Sequence, residues 1–178
     1  MKKYIYLLLL LYIAAACSSS TSTHTDSSAK GNIPNITDEI SNDITISDGT
    51  HSRMLTFGIH DQATDSLDQV LDIESPPFNP SGTFFAHFLT PDHKLFKDIK
   101  SSKITKAHWP LAFSGEGKRD IELSWDWDSK AGELEGAITL QDRLKDPKVV
   151  VNMLTENSYA AQTDSINGKL FIVYHNNK

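Results

Sequence analysis

The chain has 178 residues, 39% of them hydrophobic and 22% charged, with 17 Lys and Arg against 23 Asp and Glu and a formal net charge of −6. Nine glycines and seven prolines exclude collagen-like and proline-rich chains, and the single cysteine excludes an internal disulfide framework. The acidic balance argues against nucleic acid as a partner, and the length suits one domain with a core of its own.

Met1, Lys2 and Lys3 precede an apolar run over 4–13, followed by Ala14, Ala15, Ala16 and Cys17 and then by Ser and Thr. Basic, apolar and small-residue parts in that order make a signal peptide. The apolar run falls short of the roughly 20 residues that span a bilayer. The segment Ala14-Ala15-Ala16-Cys17 resembles the lipobox of bacterial lipoproteins, although Leu is commoner where Ala14 stands. That resemblance implies a signal peptide at 1–16, cleavage before Cys17 and diacylglycerol on the Cys17 sulfur. An ordinary secretory signal cut after Ala16 is the alternative. One acyl chain anchors only marginally, so two or three would hold the protein at a membrane, its expected partner. Asp after the lipidated cysteine would imply inner-membrane retention in such proteins; Ser18 stands there instead and favours the outer membrane.

Residues 17–31 follow as a tether rich in Ser and Thr. Positions 18–31 hold one Ala and no larger apolar side chain, too little to offset the entropy of ordering, and as a flexible coil would span about 20 Å. His24 in it is solvated. In 32–50, Ile33, Ile36, Ile40 and Ile44 fit a helix face while Ile44 and Ile46 alternate with polar residues as in a strand, so the segment reads as semi-ordered.

From His51 to Lys178 a period of two dominates. Asp120 to Asp128 alternate without a break, placing Ile121, Leu123, Trp125 and Trp127 on one strand face. Further strands are predicted at 53–59, 83–89, 108–114, 134–141, 149–155, 158–163 and 169–174, with turn formers at 115–118, 128–132, 145–147 and 166–168. This pattern predicts an all-β domain at 51–178, an antiparallel β-sandwich of the immunoglobulin or fibronectin kind with about seven or eight strands. At 83–89 both faces are apolar, so Phe85 and His87 lie either under a loop or in an exposed binding patch.

The stretch Leu55-Thr56-Phe57-Gly58 through Ala63-Thr64-Asp65-Ser66-Leu67-Asp68, with Pro76, Pro77 and then Gly82-Thr83-Phe84-Phe85-Ala86-His87-Phe88, resembles a sandwich module of secreted bacterial multidomain proteins. Such modules accompany C-terminal secretion sorting domains or dockerins. The resemblance covers about 35 residues well and implies fold and compartment, with no activity to carry over. Ser66 departs from the usual Gly, Phe85 from Asp and His87 from Arg, replacing an outward charged pair. No sorting domain follows before Lys178, so the lipid at Cys17 would serve as the attachment device.

Asp61, Asp65, Asp68, Asp72 and Glu74 form the densest acidic cluster. Calcium takes six to eight oxygens, and a carboxylate-rich loop supplies them, but the EF-hand spacing is absent. Ala63, Leu67, Val70 and Leu71 at helical spacing offer another reading, with the carboxylates on the wet side of a short helix. Trp109 and Trp127 are the tryptophans placed for exposure and are candidates for stacking on sugars, whereas Trp125 belongs to the core. His87, Asp92 and His93 match no zinc signature, and Gly115-Glu116-Gly117-Lys118 lacks the remaining parts of a phosphate loop. There is no Gly-x-Ser-x-Gly motif. The expected function is therefore non-catalytic: a structural or interaction module meeting other envelope proteins. The alternative is an envelope lipoprotein that binds calcium or carbohydrate.

Overall fold

The computed structural model describes residues 40–77, 84–114, 118–127, 134–163 and 170–177. All of these belong to one compact unit, Ile36–Lys178. Residues 1–39, which include the expected signal peptide at 1–16, Cys17 and the expected tether, lie outside the described residues, as do the turn positions 115–117, 128–132 and 166–168.

The uninterrupted alternation of Asp120-Ile121-Glu122-Leu123-Ser124-Trp125 makes the strand β7 (Asp120–Trp125), whose odd positions are buried and even positions exposed. The same logic gives β2 (Ser52–His60), β4 (Phe85–Leu89), β6 (Lys106–Ser114), β8 (Gly136–Gln141), β9 (Val150–Asn152), β10 (Ser158–Gln162) and β11 (Leu170–Asn176) close to their expected places. Three strands depart from expectation. The semi-ordered segment contains β1 (Ile40–Ser47), while β3 (Ile73–Glu74) and β5 (Lys94–Ser101) arise where no strand was expected.

β1 lies between β2 and β7, pairing antiparallel with both, so this part of 32–50 is a central element of the domain. Within β1, Ile44 and Ile46 are buried two positions apart, the alternation of a strand. Ile44 faces Leu55 across the ladder, and Asn42 faces Phe57, so the face toward β2 is set by strand pairing.

The strands form one eleven-stranded sheet in the order β10-β7-β1-β2-β5-β4-β6-β11-β8-β9, with β3 on β5. This replaces the expected two-sheet sandwich of seven or eight strands. All pairings are antiparallel except β2 with β5. The sheet curls into a nearly closed barrel whose end strands, β10 and β9, are neighbours in sequence. The link between them bridges the seam: the Met153 amide donates to the Ile138 carbonyl at 3.0 Å and the Trp125 amide to the Asn157 carbonyl at 3.0 Å. The Trp125 indole N–H adds bonds to the Met153 carbonyl at 2.9 Å and the Glu156 carbonyl at 2.7 Å. Bridging the ends in this way shields edges that would otherwise invite association.

The barrel interior is filled. Trp109, Phe57, Phe88, Leu111, Leu123, Leu140 and Tyr174 are buried there, and burial of each such side chain contributes about 1.5–3 kcal/mol. Phe57 sits at the centre, 5.5 Å from the Trp109 ring, 6.0 Å from Trp127 and 6.4 Å from Phe88. Tyr174 donates its hydroxyl to the Glu135 carbonyl at 2.7 Å.

Gly58 shows how tightly β1 crosses β2. A Cβ there would lie 2.5 Å from the Ile40 carbonyl oxygen and 2.8 Å from the Ser41 Cα. Both atoms are backbone and cannot turn aside. Gly58→Ala is therefore expected to cost about 1–3 kcal/mol of stability, read from the urea midpoint, and an unchanged midpoint would mean that the two strands separate freely.

Candidate functional site

The chain between β2 and β3 does not form the helix that Ala63, Leu67, Val70 and Leu71 suggested. It is a series of turns, with Ala63 and Leu71 packed on Ile99 of β5, Leu67 against the main core and Val70 exposed. Carboxylates organise it. The Thr64 amide donates to Asp68 Oδ2 at 2.7 Å, and the Asp68 amide donates to Asp72 Oδ2 at 2.8 Å. The Ile99 amide donates to Asp72 Oδ1 at 2.8 Å, which fastens the turns onto β5.

The five acidic residues of the calcium reading therefore have separate positions. Asp68 and Asp72 bind backbone amides, Glu74 Oε1 lies 2.6 Å from His93 Nδ1, and Asp61 Oδ1 lies 3.5 Å from His60 Nδ1. Asp65 is exposed and opens into the clefts described next. Among the described residues no three His, Cys, Asp or Glu side chains are grouped to hold a metal ion.

Beside these turns are two adjoining clefts. One, of about 250 Å³, is walled by Asp65, Asp72, Asp92, Asp98, His93 and Lys100, with Leu67, Thr90, Pro91 and Leu95. The other, of about 320 Å³, is walled by Lys100, Lys106, His108 and Asp65, with Leu89, Pro91, Ile104, Ala107 and Pro110. Asp65, Thr90, Pro91 and Lys100 border both. The first is mainly acidic, the second basic and apolar.

The pair at their junction is a buried Asp98 and a partly exposed Lys100. Asp98 is only 3% exposed, and Lys100 Nζ lies 3.2 Å from its Oδ1 and 3.1 Å from its Oδ2. Burial pushes the Asp98 carboxyl up from the ordinary aspartate value, with Lys100 opposing the shift. Burial also raises Asp72, against the amides of Asp68 and Ile99. His108 moves down through burial first and then through Lys100 and Lys106, with Asp65 opposing.

A third cavity, of about 420 Å³, lies at the barrel seam and is lined by Trp125, Asp126, Trp127 and the link from Met153 to Asn157. Trp127 is 5% exposed, and its indole nitrogen is buried without a hydrogen-bond partner. Its ring packs edge-on to Phe57 rather than facing outward as a platform.

The remaining candidates are core. Trp109 is 1% exposed and donates its indole N–H to the Asp98 carbonyl at 2.9 Å, so the expected exposure beside Pro110 is overturned. Of the two readings offered for Phe85 and His87, the covered one holds and the exposed binding patch does not, since both are buried. Phe85 packs 5.3 Å from Phe96 and 5.7 Å from His87, and the Arg53 guanidinium lies 5.3 Å over Phe85 and 4.9 Å over Phe96. Apolar and weakly basic groups suit that covered place where a charged pair would not.

Sequence reasoning did not single out Asp98, Lys100, Lys106 or His108. The available signal was a lysine at every third position from Lys94 to Lys106 in an otherwise acidic chain. Comparison with known protein families, curated proteins and solved structures finds no match to this chain. Fold and clefts together define an all-β protein of one nearly closed sheet with a filled interior and charged surface clefts.

Proposed function

We propose that this protein is a lipid-anchored module of the cell envelope that acts by binding at its surface and not by catalysis. The observation that carries the reading is the filled interior: Trp109, Phe57, Leu140 and Tyr174 occupy the space a barrel would need to hold a ligand. Recognition then falls to clefts and loops on the outside, where contact with another envelope protein requires no catalytic group. The N-terminal segment supplies the compartment, with Cys17 as the lipidated residue and Ser18 favouring the outer membrane.

Fractionation of cells expressing the full chain tests the anchor. The parent protein is expected in the membrane fraction and labelled by radioactive fatty acid, while Cys17→Ala is expected to lose the label and enter the soluble fraction. Membrane retention of the unlabelled variant would sink the proposal.

A further inference from the structure

Segment 94–106 carries Lys94, Lys97, Lys100, Lys103 and Lys106 against the single acid Asp98, in a chain whose net charge is −6. Folding directs two of these lysines, Lys100 and Lys106, to the cleft of about 320 Å³ that His108 also lines. An apolar wall of Leu89, Pro91, Ile104 and Pro110 completes it, and Asp65 faces in from the turns after β2. Cations gather in this cleft, whereas Asp72, Asp92 and Asp98 gather in its neighbour, and Asp65 belongs to both.

The Lys100 side chain is engaged by Asp98, but the side chains of Asp65, Lys106 and His108 make no hydrogen bond or ion pair with another described residue. Burial, then the two lysines, hold His108 below its ordinary value, so it offers an N–H while the lysines supply the charge. Separated opposite charges beside an apolar wall match one chemistry well: a molecule with a carboxylate, an ammonium and a small apolar body. A simple anion would leave Asp65 opposing it, and a simple cation would meet the lysines.

We propose that this cleft binds a small zwitterion, an amino acid or short peptide with free termini. Lys106 and His108 take its carboxylate, Asp65 takes its ammonium, and Leu89, Ile104 and Pro110 pack its side chain. Charge-assisted hydrogen bonds at both ends set the selectivity.

Titration calorimetry of the full chain with the dipeptide Ala-Leu, its N-acetyl form, its C-terminal amide and phosphoethanolamine tests this. Saturable binding of Ala-Leu is expected, weakened at least about tenfold by blocking either terminus. Lys106→Gln should weaken Ala-Leu and abolish the difference between acid and amide. Asp65→Asn should abolish the difference between free and acetylated amine. Both variants should keep the parent melting temperature. Absence of saturation at millimolar Ala-Leu, equal binding of the blocked forms, or preference for phosphoethanolamine would each overturn the assignment.

Discussion

Replacing His87 with Leu is expected to reduce an acid sensitivity that the parent protein shows between about pH 6.5 and pH 4, to which His108, also held below its ordinary value, contributes in the same sense. His87 is 5% exposed, and its Nδ1 is buried without a hydrogen-bond partner. Burial pushes the imidazole down from 6.5 to about 4, with the charge of Lys94 acting in the same direction. The unfolded chain thus takes up a proton near pH 6.5 that the folded protein refuses until about pH 4. Stability is unaffected by this group above pH 6.5, falls as pH drops through the interval, and levels off below pH 4, a loss of up to about 3 kcal/mol. Asp72 and Asp98 work the other way, since their raised values make the folded state the better proton acceptor as pH falls. The difference between parent and His87→Leu in urea unfolding at pH 7 and pH 4 isolates the histidine. At pH 7 the variant should be at least as stable, because an unsatisfied buried nitrogen has been removed. Parallel losses in the two proteins on acidification would show that His87 is readily protonated in place.

Trp109→Ala is expected to cost about 3–5 kcal/mol, enough to bring a domain of ordinary stability close to unfolding at room temperature. The ring lies between β6 and the Phe57 centre, and its loss would open a cavity that surrounding strands cannot collapse into without breaking their ladders. It would also leave the Asp98 carbonyl without its 2.9 Å partner. Trp109→Phe separates the two effects, retaining most of the apolar contact while losing the N–H, and should cost less. Urea denaturation of both variants measures the difference. If Trp109→Ala left the midpoint unmoved and altered binding of a glycan instead, the tryptophan would have to be a surface platform after all.

The legible parts of the fold are those where side-chain alternation is local. β7 can be read directly because every second residue from Ile121 to Trp125 is apolar and each partner on the other face is polar. β5 hides because Asp98 and Ile99 are both buried, Phe96 is only partly covered and lysines recur every third residue, which breaks the period of two. β1 hides for the opposite reason, since its isoleucines satisfy two periods and only pairing with β2 and β7 chooses between them. Trp109 and Trp127 look alike in sequence, each beside a strand end or a proline; pairing of β6 with β11 places Trp109 in the core, and Trp127, two residues past β7, is buried as well.

Of the clefts, the acidic border was visible as the cluster from Asp61 to Glu74, but its use was not. A run of carboxylates reads equally as a metal loop, a wet helix face or a set of turn-holding acceptors. The Ile99 amide decides for Asp72, and it lies 27 positions along the chain. The basic border of Lys100, Lys106 and His108 comes from β5 and the start of β6, and no spacing rule connects these residues to Asp65.

Composition and alternation by themselves determined the all-β character and most strand positions, and they excluded a disulfide framework, because these follow from residue type and neighbours two positions away. The resemblance of Ala14-Ala15-Ala16-Cys17 to a lipobox set the expectation of a lipid anchor at Cys17. The tertiary structure alone decided that the strands form one nearly closed sheet, that Trp109, Phe85 and His87 are covered, and that opposite charges meet in adjoining clefts. Those outcomes depend on register and closure between segments tens of residues apart, where loop entropy and packing of the whole interior, rather than any local pattern, select the pairing.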